Sequence, residues 1–79
     1  MARYTVTNLR ALVKDANEQY PLTEKNGYGN FDRFVVDSAY GKFEVNELSP
    51  GSTGRSDITY LGSARECAVK FMDYLMRNF

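Results

Sequence analysis

Chemistry needs reactive side chains, and this chain of 79 residues offers few: one cysteine, Cys67, and no histidine. Zinc sites built from Cys and His at short spacings are therefore out of reach, as is the commonest general base at neutral pH. A single cysteine also excludes an internal disulfide. Serines are frequent, but none stands in a Gly-x-Ser-x-Gly elbow or beside a recognisable base. Glu44, Glu47 and Asp57 are the carboxylates that a paired acid–base mechanism could draw on. Glu44 and Asp57 are expected on a solvated sheet face, where charges serve solubility. The stretch "SPGSTGRS" lacks the Gly-Lys-Ser/Thr and the following helix of a phosphate loop, so it reads as a mobile connection. No EF-hand pattern occurs. Catalysis, metals and cofactors are not expected.

What remains is binding. Tyr28 and Tyr40 fall in expected loops, off both helical stripes. Tyrosine supplies a large contact area with few rotors, so these two rings are candidate anchors for a partner. Lys42 and Arg55 are the candidate polar contacts, provided the hairpin tip and the Ser/Gly connection project from neighbouring positions.

The elements that must position these residues follow from periodicity. Leu9, Leu12, Val13, Ala16 and Tyr20 lie on one helical stripe. Thr7 is the expected N-cap, after an extended lead-in at residues 4–6, and Pro21 ends the helix. "PLTEKNGYGN" is a loop. "FDRFVVDSAYGKFEVNEL" reads as a hairpin with Phe34 and Val36 on the face shared by Phe43 and Val45. Pairing Val36 with Phe43, and Phe34 with Val45, leaves Ser38-Ala39-Tyr40-Gly41 as the turn. "DITYL" is a third strand with Ile58 and Tyr60 inward. The other sheet face then carries Arg33, Val35, Lys42, Glu44, Asn46 and Thr59, with no aromatic platform for stacking single-stranded bases.

The last helix opens with the capping box Ser63-Ala-Arg-Glu66. Its expected core stripe is Ala64, Cys67, Ala68, Phe71, Met72, Leu75 and Phe79, with Glu66–Lys70 and Asp73–Arg77 as i,i+4 pairs. Val69 and Met76 lie outside that stripe and widen the apolar arc to about 220°, beyond what a surface helix needs. Contact with the segment around Tyr4 would explain them; self-association is the alternative. The fold expected is a single α+β domain over residues 1–79, in the order α-β-β-β-α. Two helices cover one face of a three-stranded antiparallel sheet.

That order, with the strand-Gly-Ser-helix junction at residues 60–75, resembles the double-stranded RNA-binding domain. The resemblance implies lysines after the serine that straddle phosphates. Those positions here are Ala64, Arg65 and Ala68, with Glu66 among them, so only Arg65 is basic. Net charge is zero and evenly spread: +1 over residues 1–20, −2 over 21–48 and +1 over 49–79. A protein that neutralises several phosphates needs more than this, and nucleic acid is not the expected partner. No segment resembles a signal peptide or a run of ~18 apolar residues, so no membrane is expected and the cytosol is the expected compartment. In size and composition the chain resembles small accessory proteins encoded by phages and mobile elements, including anti-CRISPR and anti-restriction inhibitors. That resemblance implies a larger protein or ribonucleoprotein complex as partner. An RNA- or DNA-binding module is the second reading, and a homodimer built on Val69 and Met76 the third.

Overall fold

The computed structural model describes residues 3–79. The order is α1 (Val6–Gln19), β1 (Phe34–Ala39), β2 (Lys42–Leu48), β3 (Arg55–Asp57) and α2 (Ala64–Asn78). This is the α+β class and the α-β-β-β-α order read from the sequence. The strands form one antiparallel sheet with β2 in the centre. Helix α1 lies over β1, α2 lies over β2, and the helices touch each other.

Both helices begin at reciprocal caps, which satisfy two of the backbone donors that every helix start leaves orphaned. For α2 these are Ser63 and Glu66, as the sequence implies. For α1 the cap is Thr5 rather than Thr7. Asn8 N–H donates to Thr5 Oγ1 (3.4 Å) while Asn8 Oδ1 accepts from Thr5 N–H (3.0 Å). An asparagine at the third helical position performs the return bond usually made by Glu or Gln, which is why the signal was missed. The extended lead-in ends two residues sooner than expected, in step with the cap.

Between helices and sheet, Leu9, Val13 and Ala16 of α1 meet Phe34, Val45, Ala64, Cys67, Ala68 and Phe71 in one buried cluster. Phe34 and Phe71 pack edge to face with centroids 5.0 Å apart, and Phe79 stacks on Tyr20 at 4.5 Å. Edge-to-face pairs put the positive ring edge against the negative face, a gain beyond area burial alone. Met72 departs from its expected place: it is half exposed, while Tyr74 is partly buried against the core. The buried face of α2 therefore takes in Tyr74, which reaches Glu47 on β2, in place of Met72.

The hairpin register also differs. Val36 pairs with Val45 and Phe34 with Glu47, leaving a two-residue turn at Tyr40-Gly41. Both turn residues have positive φ (55° and 72°), the signature of the type I′ turn whose twist matches the strands. A slip of two residues keeps every side chain on its expected face; a slip of one would have inverted them.

The third strand is shorter and earlier than "DITYL". After Asp57 the chain bulges: Ile58 and Thr59 N–H both donate to the Val45 carbonyl (3.0 and 3.2 Å). Pairing resumes at Phe43–Gly62, two residues beyond where an unbroken ladder would put it. The extra residues throw Tyr60 out to solvent and turn Thr59 inward, the reverse of the expected arrangement.

Asn17, which lies off the apolar stripe of α1, completes the sheet edge. Its Oδ1 accepts from Arg33 and Phe34 N–H (2.9 and 2.7 Å), and its Nδ2 donates to the Phe34 carbonyl (3.0 Å). The amide acts as a one-residue neighbouring strand and locks α1 to β1.

Candidate functional site

The outer face of the sheet is less open than the strand pattern suggests, because two loops meet at one end of it. The first, residues 21–33, is organised by Asn26, which is buried. Asn26 Nδ2 donates to Asn30 Oδ1 (2.8 Å) and to the Asp32 carbonyl (3.0 Å), while its Oδ1 accepts from Tyr28 N–H (2.8 Å). An Asx side chain that satisfies its own loop stands in for regular structure. The second loop, residues 49–54, is most of the segment 49–56 expected to be mobile, whose last two residues, Arg55 and Ser56, are in β3. It is tied down: Gly27 N–H donates to the Ser52 carbonyl (2.7 Å), and Gly51 N–H to that of Lys25 (2.8 Å). Gly27 is required by this approach, since a Cβ there would lie 2.7 Å from the Ser52 carbonyl carbon and Thr53 N. Backbone pairing between the loops supplies the anchor that the apolar pattern lacks.

This clasp delivers Tyr28 to Arg55. One guanidinium nitrogen of Arg55 donates to Tyr28 Oη (3.2 Å), and its carbon lies 6.0 Å from the Tyr28 ring centroid. Another donates to Asp37 Oδ2 on β1 (3.1 Å). The hydrogen bond to Tyr28, with the charge of Asp37 behind it, holds the Arg55 pKa above its usual value. Tyr28 and Arg55, two of the four candidate contacts, are therefore joined. The other two lie at the hairpin tip, Tyr40 in the turn and Lys42 just after it. Tyr40 is 96% exposed and Lys42 is exposed two residues on. Asp37, three residues before Tyr40, ties the Tyr28–Arg55 cluster to the hairpin. The sequence reading missed Asp37; its outward parity on β1 was the available signal.

Asn46 and Thr59, expected on a solvated face, are both buried. Asn46 Nδ2 donates to Asp57 Oδ1 across the β2–β3 pair (2.7 Å). Thr59 belongs to a relay that runs through the only thiol. Val45 N–H donates to Thr59 Oγ1 (3.0 Å), Thr59 Oγ1 to Cys67 Sγ (3.5 Å), and Cys67 Sγ to the Phe43 carbonyl (2.9 Å). Cys67 is 1% exposed. A thiol so enclosed, with its proton on a carbonyl, acts as a small hydrophobe.

Toward the far end of α2, Tyr74 Oη donates to Glu47 Oε1 (2.6 Å), and Arg33 reaches Glu47 Oε2 (3.4 Å). Arg33 also donates to the Tyr20 and Pro21 carbonyls and covers the Phe79 ring. Burial, then the bond to Glu47 and its charge, push the Tyr74 pKa up to about 12. At neutral pH this phenol is a fixed donor, and the group joins helix, strand and loop. Of the two i,i+4 pairs on α2, Asp73–Arg77 forms (3.0 Å), while Glu66 turns back to the Ser63 N–H (3.1 Å) instead of bridging Lys70. That bond to Ser63 holds the Glu66 carboxyl below its ordinary range.

Val69 and Met76 are both well exposed, so contact with Tyr4 does not cover them. The positions at which the double-stranded RNA-binding domain carries lysines divide: Ala64 and Ala68 are in the core, and Arg65 faces solvent. Among the described residues no three His, Cys, Asp or Glu side chains gather as a metal site, and no helix is long and apolar enough to cross a membrane. No protein-family model, curated protein or solved structure matches the chain.

Proposed function

We propose that this chain works by binding a larger protein or ribonucleoprotein complex, without catalysis of its own, through the hairpin tip and the adjoining Tyr28–Arg55–Asp37 cluster. The observation that carries the reading is Tyr40. A non-glycine side chain in the left-handed region costs on the order of 1 kcal/mol, and the first position of such a turn favours Asn, Asp or Gly. Tyr40 nevertheless sits there, at φ 55° and almost wholly in solvent. Strain without internal contact is accounted for by a contact outside the chain, and tyrosine is among the residues that dominate such contacts. Arg55, held by Tyr28 and Asp37, adds a charged donor already ordered before a partner arrives, which lowers the entropy lost on binding. The small format fits an accessory inhibitor of a host defence complex, of phage or mobile-element origin, which would act by occupying a surface of its target.

The test compares affinity capture from native lysate by the wild type, Tyr40→Asn, Arg55→Ala and, as an unrelated surface control, Lys14→Glu on the exposed side of α1. A partner retained by wild type and Lys14→Glu but lost by the other two supports the reading. An identical set of partners for all four overturns it. Titration with RNA and DNA duplexes at near-physiological salt is expected to show nothing tighter than about 10 μM. Submicromolar affinity with a steep salt slope would transfer the reading to a nucleic-acid-binding module.

A further inference from the structure

The outward side of α2 carries two parallel rows that none of the described residues covers. The apolar row is Val69, Met72 and Met76, at 59%, 49% and 83% exposure. Their spacing of three and four residues is that of a helix–helix seam. Beside it runs a charged row, Glu66, Lys70, Asp73 and Arg77, spaced four, three and four residues apart with alternating sign. An alternating row with symmetric spacing has a special property. Turned end to end and laid against itself, it meets the opposite charge at every position: Glu66 faces Arg77, and Lys70 faces Asp73.

We propose that α2 is the self-association surface of this protein, and that its partner there is a second copy of the chain, packed antiparallel about a two-fold axis between Phe71 and Met72. In this register Met72 of one helix lies beside Met72 of the other, and each Val69 enters the gap between the partner's Met72 and Met76. Four opposite-charge pairs flank this seam on one side. The carboxylates have capacity for them. Glu66 uses Oε1 for the Ser63 N–H and Asp73 uses Oδ2 for Arg77, so each has a second oxygen to offer. A groove of about 490 Å³, lined by Ile58, Val69, Lys70, Asp73, Tyr74 and Arg77, borders the charged row and receives the partner's Lys70 and Arg77 stems. Isologous contact of one patch with itself is how most two-subunit assemblies are built. Helix axes in such pairs lie about 8–10 Å apart. One helix per subunit buries less than the ~800 Å² per partner of a strong interface, so the dimer is weak, in the micromolar range or above.

Charge reversal with rescue tests the register as well as the surface. Lys70→Asp sets a carboxylate against the partner's Asp73, and Asp73→Lys sets an ammonium group against the partner's Lys70, each at two symmetry-related places. The double exchange restores an opposite charge at every position. Sedimentation velocity from about 10 μM to about 1 mM covers the affinities so small an interface allows. Wild type is expected to dimerise over this range. Each single variant is expected to raise the dissociation constant by about tenfold or more, and the double variant to return it to near wild type. Both positions are exposed. The variants lose the Asp73–Arg77 pair or set like charges at i,i+4 with Glu66 or Arg77, so thermal melts are expected to stay cooperative and to shift by only a few °C, showing that folding is intact. A wild type monomeric at 1 mM overturns the proposal, as does a dimer indifferent to Lys70→Asp or one that the double exchange does not restore.

Discussion

Replacing Tyr40 with Asn should make the protein more stable. Tyr40 holds a left-handed conformation at φ 55° with its ring 96% exposed, so truncation removes strain and almost no buried area. The left-handed conformation costs an ordinary L-residue about 1–2 kcal/mol, and asparagine escapes part of this through local hydrogen bonding. A net gain of about 0.5–1 kcal/mol follows. For a domain of this length, each kcal/mol moves Tm by about 4–8 °C, so the expected rise is about 2–8 °C. Glycine also relieves the strain, but its freer unfolded chain takes back about 0.5–1 kcal/mol, and Tyr40→Gly should be close to neutral. Urea unfolding followed by circular dichroism separates these cases. The midpoints should order as Asn above Gly and wild type, with unchanged slopes, because no surface burial changes. A Tyr40→Asn midpoint at or below wild type would refute the reasoning, since the ring would then carry folding energy. With the capture experiment, this makes a trade between stability and binding measurable at one residue.

The other expectations concern the joints that hold the loops. Asn17→Ala removes three hydrogen bonds to Arg33 and Phe34 and should cost about 2–3 kcal/mol in urea unfolding. Asn17→Asp keeps the acceptor but sets a carboxylate against the Phe34 carbonyl, and should fall between. Gly27→Ala drives a Cβ into the backbone of Ser52 and Thr53; parting the loops should cost about 1–3 kcal/mol and speed amide exchange at residues 49–54. The Tyr74 phenol has its pKa raised in the folded state, so its contribution is complete below the unfolded value near 10 and is lost as pH rises through about 12. Stability should therefore fall between pH 10 and 12, and the fall should be smaller in Tyr74→Phe, which also loses about 1–2 kcal/mol at neutral pH. Cys67 should react with a thiol reagent far more slowly in the native than in the unfolded protein; equal rates would contradict its enclosure by Thr59 and Phe43.

What the amino-acid sequence determined by itself was whatever local chemistry and short-range periodicity encode. The stripe Leu9–Val13–Ala16, the Ser63–Glu66 box and the two-residue alternation through Phe34, Val36, Phe43 and Val45 each depend on neighbours within a turn or a strand. They set the class, the element order and the faces. Among the candidate contacts, Tyr28 and Tyr40 stand out in the sequence because they lie off both helical stripes, whereas Lys42 and Arg55 rested on an expected nearness to Tyr40, and Arg55 bonds Tyr28 instead. Tertiary structure decided the rest, where a group is satisfied by something distant. The hairpin slipped by two residues into a register closed by a two-residue turn whose twist matches the strands, which extends the ladder to Ala39–Lys42 at the expense of a left-handed Tyr40. Thr59 went inward because the Val45 N–H and the Cys67 thiol, on two other elements, needed its hydroxyl. Asn17 lies off the apolar stripe, and its role appeared only where Arg33 and Phe34, at the start of β1, presented unpaired backbone. "SPGSTGRS" looked mobile because its anchor is the backbone of residues 25–27, which no pattern of its own side chains reports. Asp37 became a partner of Arg55 only once β1 and β3 shared a sheet. Polar groups carry no periodicity, and their partners are chosen by where the apolar framework sets the backbone down.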